Sequence, residues 1–243
     1  MFVKKLSINI LTLYEMFYKG LRRGILIFYA NTFKLLTSKH MRLQKGDSNM
    51  QFQLQFITDE LPQTPVHINQ RTAVRGVIHY QNKILMVQTN RGDYKFPGGG
   101  MEEGETEKET LLREITEETG YTDIHIGVKI GETFEQNIDT EDPESYFQMK
   151  SCYYECWLMS DKRAPGVQDD YEEKLGFHGT FVTVEEAYQS NLSLLKREQK
   201  KMHDFLQKAY IAQMDQKIKE QVTFAPEIPW LERETQVLYK LNR

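Results

Sequence analysis

Residues 99–121 read GGMEEGETEKETLLREITEETGY. Glutamates crowd a short segment that follows a run of glycines, Gly98 to Gly100, and their spacing decides what the crowding is for. Thr106-Glu107-Lys108-Glu109 has the T-x-x-E form of a capping box, in which Thr accepts from a backbone N–H three residues on and Glu answers back. A helix over 107–119 is predicted, with Gly120 as its C-terminal stop. With Leu111 at 0° and about 100° per residue, Ile115 falls at about 40° and Leu112 at about 100°. On the same scale Arg113, Glu117, Glu114 and Glu118 fall at about 200°, 240°, 300° and 340°. One buried apolar stripe and a separate acidic stripe are expected.

Glu114, Glu117 and Glu118 stand at i, i+3 and i+4 and are neighbours on the helix surface. Acidic runs are commonly solvated faces. Three adjacent carboxylates repel one another, however, and a helix built for stability alone would intersperse lysines. Arg113 is close enough in sequence to help, against Glu117 or Glu109. A divalent cation would relieve the remaining repulsion. Oxygen-only donors with room for water suit Mg2+ or Mn2+ better than zinc.

The segment flanking the box reads as strands and turns. Val74–Tyr80 and Ile84–Thr89 are apolar, β-branched runs separated by Gln81-Asn82-Lys83, the pattern of a β-hairpin. Asn90-Arg91-Gly92-Asp93 is a turn, and its RGD tripeptide is explained by turn chemistry. Tyr94-Lys95-Phe96 alternates like a strand that Pro97 ends, and the glycines after it let the backbone approach a ligand closely. Phe147–Leu158 reads as a further strand, whose Phe147, Met149, Tyr153 and Trp157 share a face that serves as core or as a stacking surface for a base. The preceding EQNIDTEDPES is polar and turn-rich, and reads as a loop over the site.

Laid out from Gly99, the segment is G-x5-E-x7-R-E-I-x-E-E-x-G-Y. It resembles the signature of the Nudix hydrolases, G-x5-E-x7-R-E-U-x-E-E-x-G-U with U a bulky apolar residue. Gly99, Glu105, Arg113, Glu114, Ile115, Glu117, Glu118 and Gly120 all match, and Tyr121 departs mildly at the last U. The resemblance covers residues 70–190 and implies an α/β/α sandwich around a mixed sheet, here with an extra N-terminal segment and a C-terminal helix. It implies hydrolysis of a pyrophosphate bond in a nucleotide or a nucleoside diphosphate-linked metabolite, with Mg2+ or Mn2+ as cofactor. By the same resemblance Glu114, Glu117 and Glu118 bind metal, and Gly98 lends a backbone carbonyl. Arg113 orients a carboxylate, and Glu105 supports the loop-helix geometry or a metal-bound water. An acidic later loop serves some family members as general base, and Asp169-Asp170-Tyr171-Glu172-Glu173 is the candidate here. The alternative function is a non-catalytic module of the same fold that binds a metabolite and regulates a partner.

The rest of the chain bounds these readings. Its 243 residues are 40% apolar and 27% charged, ordinary for a globular protein with a sizeable core. A net charge of −4 disfavours nonspecific nucleic-acid binding, which rests on Lys and Arg neutralising phosphates. A small nucleotide-type substrate is the expected partner. The two cysteines, Cys152 and Cys156, form no disulfide framework and read as buried small hydrophobes in a reducing, cytoplasmic protein. No histidines pair at ligand spacing.

Charge divides the chain. Residues 1–49 carry nine basic side chains against Glu15 and Asp47, a net of +7, which leaves −11 on residues 50–243. Lys19, Arg22 and Arg23 interrupt the apolar pattern of the first segment, so it is too broken for a membrane span. It reads as a membrane-surface helix, as an added helix on the main domain, or as an upstream start with Met41 or Met50 the true one. The last reading is preferred, because the composition of this segment is foreign to that of residues 50–243. Residues 50–192 then form the hydrolase-like domain. Thr183-Val184-Glu185-Glu186 caps a short helix within it. Residues 193–243 hold a long helical pattern, with Leu195, Met202, Phe205, Leu206 and Ala209 on its apolar side. An aromatic tail comes after Pro226 and Pro229, packing on the same domain or on a second subunit as a homodimer.

Overall fold

The hairpin comes from two β-branched runs that meet at the shortest practical turn. Strand β2 (Ile68–Tyr80) and strand β3 (Lys83–Gln88) pair antiparallel across Gln81–Asn82. Gln81 takes a φ of 53°, the left-handed value such tight turns demand. Lys83 therefore belongs to the strand and not to the turn. The computed structural model describes residues 50–57, 65–139, 142, 144–164, 170–214 and 227–243, without the side chains of 170–172, 206 and 209–214. Residues 1–49, Asp169 and Pro226 lie outside the described residues, and with them the readings placed there.

Strand β1 (Phe52–Ile57) lies parallel to β5 (Ile124–Ile138), which pairs antiparallel with β6 (Tyr146–Leu158). Strand β6 runs parallel to β2, and β3 pairs antiparallel with both the short β4 (Tyr94–Lys95) and β7 (His178–Val182). The order is β1-β5-β6-β2-β3-β4, with β7 on β3, so the sheet is mixed. Strand β5 extends through Glu135–Ile138, part of the stretch expected to loop over the site.

Helices cover both faces. Helix α1 (Glu107–Thr119) seals one face with Leu111 and Ile115, against Val74, Ile78, Leu85, Cys152 and Cys156. The opposite face carries Phe52, Leu54, Val77, Met86, Phe96 and Tyr153, covered by Ala187 of helix α3 (Val184–Met214) and by Val237 and Leu238 of helix α4 (Leu231–Leu241). Side chains alternate between faces along each strand, so one period-2 pattern feeds both cores. This is the expected α/β/α sandwich, with a C-terminal helix added. Each fully buried side chain such as Val237 or Leu238 contributes about 1.5–3 kcal/mol, which docks the aromatic tail onto its own domain.

Three local expectations change. The helix capped by Thr183 and Glu186 is not short, because no Gly or Pro interrupts it and it runs unbroken from Val184 to Met214. Of its expected apolar side Leu195 and Met202 are half-buried and Phe205 is exposed, the side chains of Leu206 and Ala209 lie outside those described, and Asn191 and Glu198 are buried instead. The aromatic stripe of β6 divides by position. Tyr153 is core, meeting the rings of Phe52 and Phe96 edge-on, whereas Trp157 lies at the far end of the strand beside His79 and His125. Among the described residues no helix is long and apolar enough to cross a membrane.

Both cysteines are free and fully buried against α1, as expected. Burial pushes each thiol up to about 12, so almost no reactive thiolate exists at neutral pH. The native protein should resist iodoacetamide at pH 8 and take up two labels per chain once unfolded in denaturant. Mass spectrometry before and after unfolding reads the difference, and fast labelling of the folded protein would contradict this packing.

Candidate active site

Helix α1 begins and ends where its caps dictate. Thr106 accepts from the Glu109 N–H at 3.3 Å and its own N–H donates to the Glu109 carboxylate at 2.9 Å. Gly120 closes the helix at a φ of 78°. Glu109, engaged in the cap, does not reach Arg113. The wheel needs one correction: Glu118 is 3% exposed and sits with Leu111 and Ile115, while Leu112 is 37% exposed. Glu118 at about 340° is nearer the stripe centre than Leu112 at about 100°, so the helix turns Glu118 toward the sheet beside Leu111 and leaves Leu112 outside.

The glycine run is zipped onto β2. The N–H of Val74 donates to the Gly99 carbonyl at 2.9 Å, Gly76 to Pro97 at 2.9 Å, and Met101 back to Thr72 at 2.9 Å. Gly98 has a φ of 137°, and a Cβ there would lie 2.0 Å from the Val74 carbonyl oxygen. No other residue fits. A Cβ on Gly99 would lie 2.3–2.5 Å from the Glu114 carboxyl group, so Glu114 rests directly on this loop. Glu118 reaches the same loop, accepting from the Gly98 N–H at 2.9 Å.

Arg113 organises the outer acids. It donates to both oxygens of Glu105, at 2.7 and 2.9 Å, to Glu114 at 2.8 Å, to Glu117 at 3.2 Å and to the Gly100 carbonyl at 3.3 Å. Glu105 also accepts from Thr110 and from the Glu102 N–H. These bonds hold its carboxyl at about 2, the Arg113 hydrogen bond first among them, so Glu105 is a permanent anion bracing loop to helix. Glu114 is pushed the other way. Burial raises its pKa more than the Arg113 hydrogen bond lowers it, with Glu118 and Glu117 adding repulsion.

Sequence reasoning missed Lys95. Its ammonium lies 2.5 Å from Glu118, with the rings of Phe177 and Trp230 at 4.4 and 5.7 Å from ring centre. Its signal was a lone Lys beside Phe96 on a short strand, which composition does not distinguish from a surface lysine. Sequence reasoning also missed Arg75, which donates to the Phe96 and Gly98 carbonyls at 3.3 and 3.1 Å. The Gly98 carbonyl, expected to face an ion, is thus bonded to an arginine. Asp93 of the RGD turn is buried and accepts from Thr89 and Trp230, a structural role. Within the acidic segment 169–173, residues from Asp170 lie in helix α2 (Asp170–Leu175) and Glu173 is exposed.

Among the described residues no three His, Cys, Asp or Glu groups converge closely enough to be a metal-holding cluster as they stand. The expected triad is instead distributed: Glu114 and Glu118 meet at the Gly98–Gly99 loop and Glu117 stands at the rim, each on a cation. Coulomb repulsion separates like charges onto Arg113 and Lys95. Four carboxylates (Glu105, Glu114, Glu117 and Glu118) pair with two cations, Arg113 and Lys95, so these ion pairs hold two more carboxylates than cations among the described residues. An all-oxygen donor set with that deficit, one member of it desolvated, suits a hard dication. A separate open cleft of 510 Å³ near His79, Glu155 and Trp157 holds none of these groups.

A NUDIX domain model matches residues 69–208. Over 65 residues the chain is 38% identical to an ADP-ribose pyrophosphatase of Methanocaldococcus jannaschii, a match that covers 25% of this chain and 38% of that protein's length. Among solved structures, an ADP-ribose pyrophosphatase from Streptococcus suis is 20% identical with a TM-score of 0.35, over 47% of this chain and 75% of that one. A NUDIX hydrolase from Nitrosomonas europaea is 19% identical with a TM-score of 0.34, over 50% and 78%.

The raised pKa of Glu114 has a thermodynamic consequence. A carboxyl whose folded pKa exceeds its unfolded value binds more protons when folded, so it costs stability as pH rises through that interval. Glu114→Gln should therefore melt above the parent protein in chelator at pH 8, with the gap closing as pH falls through the carboxylate range. Calorimetry across pH reads this, and a lower melting point for the variant at pH 8 would refute the electrostatic picture.

Proposed function

This chain belongs to the Nudix family, and on that premise we propose that it hydrolyses a pyrophosphate bond in a nucleoside diphosphate linked to a second group, or in a related nucleotide. The observation that carries the reading is the pairing of Glu114 and Glu118 on the Gly98–Gly99 loop, within ion pairs that hold more carboxylates than cations. A regulatory module that binds without cutting has no need of that destabilising charge.

Pyrophosphates are kinetically inert because their anionic oxygens repel a nucleophile. A bound Mg2+ or Mn2+ supplies neutralisation of that charge and acidifies the attacking water. The protein's own part is placement, as in other phosphoryl-transfer sites. Glu114, Glu117 and Glu118 would hold the dication. Arg113 fixes the direction of Glu114 and Glu117, and Glu105 in turn fixes Arg113. Lys95 acts as the counter-ion of Glu118 and would share that carboxylate with a bound dication.

The substrate class comes from this chemistry and from the family, and the relative's name makes ADP-ribose the first compound to assay. Nucleotide sugars, dinucleotides and nucleoside triphosphates complete the screen. Glu117→Gln and Glu118→Gln should each lower Mg2+-dependent turnover by more than about 100-fold, beyond the usual cost of losing an outer-shell partner. Circular dichroism should show an intact fold in both. Chelator should silence the parent protein, and added Mg2+ or Mn2+ should restore it. Full turnover in both variants would remove the metal assignment.

A further inference from the structure

Helix α4 lies beyond the matched residues 69–208, yet its Glu234 reaches the backbone of Phe96, two residues before Gly98. Glu234 is fully buried. One of its oxygens accepts from the Phe96 N–H at 3.3 Å. The other accepts from Arg233 at 2.8 Å and lies 3.8 Å from the Arg75 Nε. Arg75 in turn donates to the carbonyls of Phe96 and Gly98. Arg233 is tied to Glu135 of β5 at 2.6 Å, which anchors the group to the sheet.

Two arginines and two glutamates therefore form a largely buried, charge-balanced set beneath α4; Glu234 faces Arg75 as an ion pair without a hydrogen bond, and the inner side of the set is bonded to Phe96 and Gly98. Gly98 carries the next link, because its N–H donates to Glu118. The chain of contacts runs Glu234, Arg75, Gly98, Glu118. A second strut runs in parallel: the Trp230 indole donates to Asp93 at 2.7 Å, and its ring flanks Lys95, the counter-ion of Glu118. A helix needed for packing alone would meet this surface with apolar side chains, as Val237 and Leu238 do. A buried carboxylate costs desolvation and is tolerated only where it is paired and hydrogen-bonded.

We propose that Glu234 is a positioning residue of the active site: acting through Arg75, it sets the place of the Phe96–Gly98 backbone and hence of Glu118. The C-terminal helix is then part of the working site. This inference rests on the pyrophosphohydrolase reading for its kinetic test, and on the loop geometry alone for its structural one.

The experiment compares Glu234→Gln, Arg75→Gln, the double variant, and Leu238→Ala as a packing control in the same helix, all in the full chain. Glu234→Gln keeps an acceptor for Phe96 but removes the charge that holds Arg75. Displacing Glu118 by a fraction of an ångström should lower kcat by about 10- to 100-fold while KM stays within about threefold. The double variant should be no worse than the poorer single one, because the two act in series. Leu238→Ala should melt earlier yet keep its kcat at a temperature where it is folded. In NMR amide exchange without substrate or metal, Glu234→Gln should lose protection at Gly98, whose N–H donates to Glu118, and Leu238→Ala should not. Parental kcat in Glu234→Gln, with Glu118→Gln inactive, would overturn the inference and leave the functional reading standing. If the parent protein hydrolyses nothing, the functional reading fails, and unchanged protection at Gly98 in Glu234→Gln would then overturn the positioning role as well.

Discussion

The site depends on a backbone constraint: residues 97–101 are hydrogen-bonded along β2 so closely that Gly98 has no room for a side chain. Because the loop is pinned to a central strand, its outward amide and carbonyl are fixed in space before any ligand arrives. Two acids of α1 are then aimed at it. Glu118 takes the Gly98 N–H, and Glu114 lies on Gly99 where any Cβ would strike its carboxyl group. The helix itself is held at the right height by Leu111 and Ile115 against the sheet, so the hydrophobic packing of one face sets the electrostatics of the loop.

That arrangement works against stability. Three carboxylates within one and a half turns, one buried and one desolvated, are a poor choice for a helix whose task is to fold. Two cations and a bonded amide offset part of the repulsion and leave the rest. Burial first, and repulsion from Glu118 and Glu117 after it, explain why Glu114 is uncomfortable as an anion. Arg113 shows the division of labour. It bonds four partners at once, so it orients the acids without cancelling them.

Much of this was legible in the sequence, and the reasons differ residue by residue. Helix α1 could be bounded to the residue because Thr106, Glu109 and Gly120 act locally, through bonds that span three or four positions. The hairpin was legible for the same reason. Arg113 came from spacing and from the family resemblance together, and Glu105 from the resemblance alone. Lys95, Arg75 and Glu234 were not legible, since each acquires its role from partners 20 or more positions away. Leu112 was misplaced because a wheel gives angles and not the centre of the face. Only packing shows that the buried direction passes between Glu118 and Ile115.

The long-range partners also explain why the second helical layer is as polar as it is at its centre. Phe96 is covered by Tyr153 on one side and bonded to Glu234 at its backbone, so the residue that precedes the glycine loop is held by an aromatic contact and by an ion network at once. The aromatic contact fixes where the ring lies but leaves the peptide plane free to rotate. Bonds at both the N–H and the carbonyl remove that freedom. A loop that must present an amide to Glu118 needs the second kind of restraint, which apolar packing cannot give because it has no direction. The buried charges under α4 are thus the directional counterpart of the hydrophobic core that surrounds them.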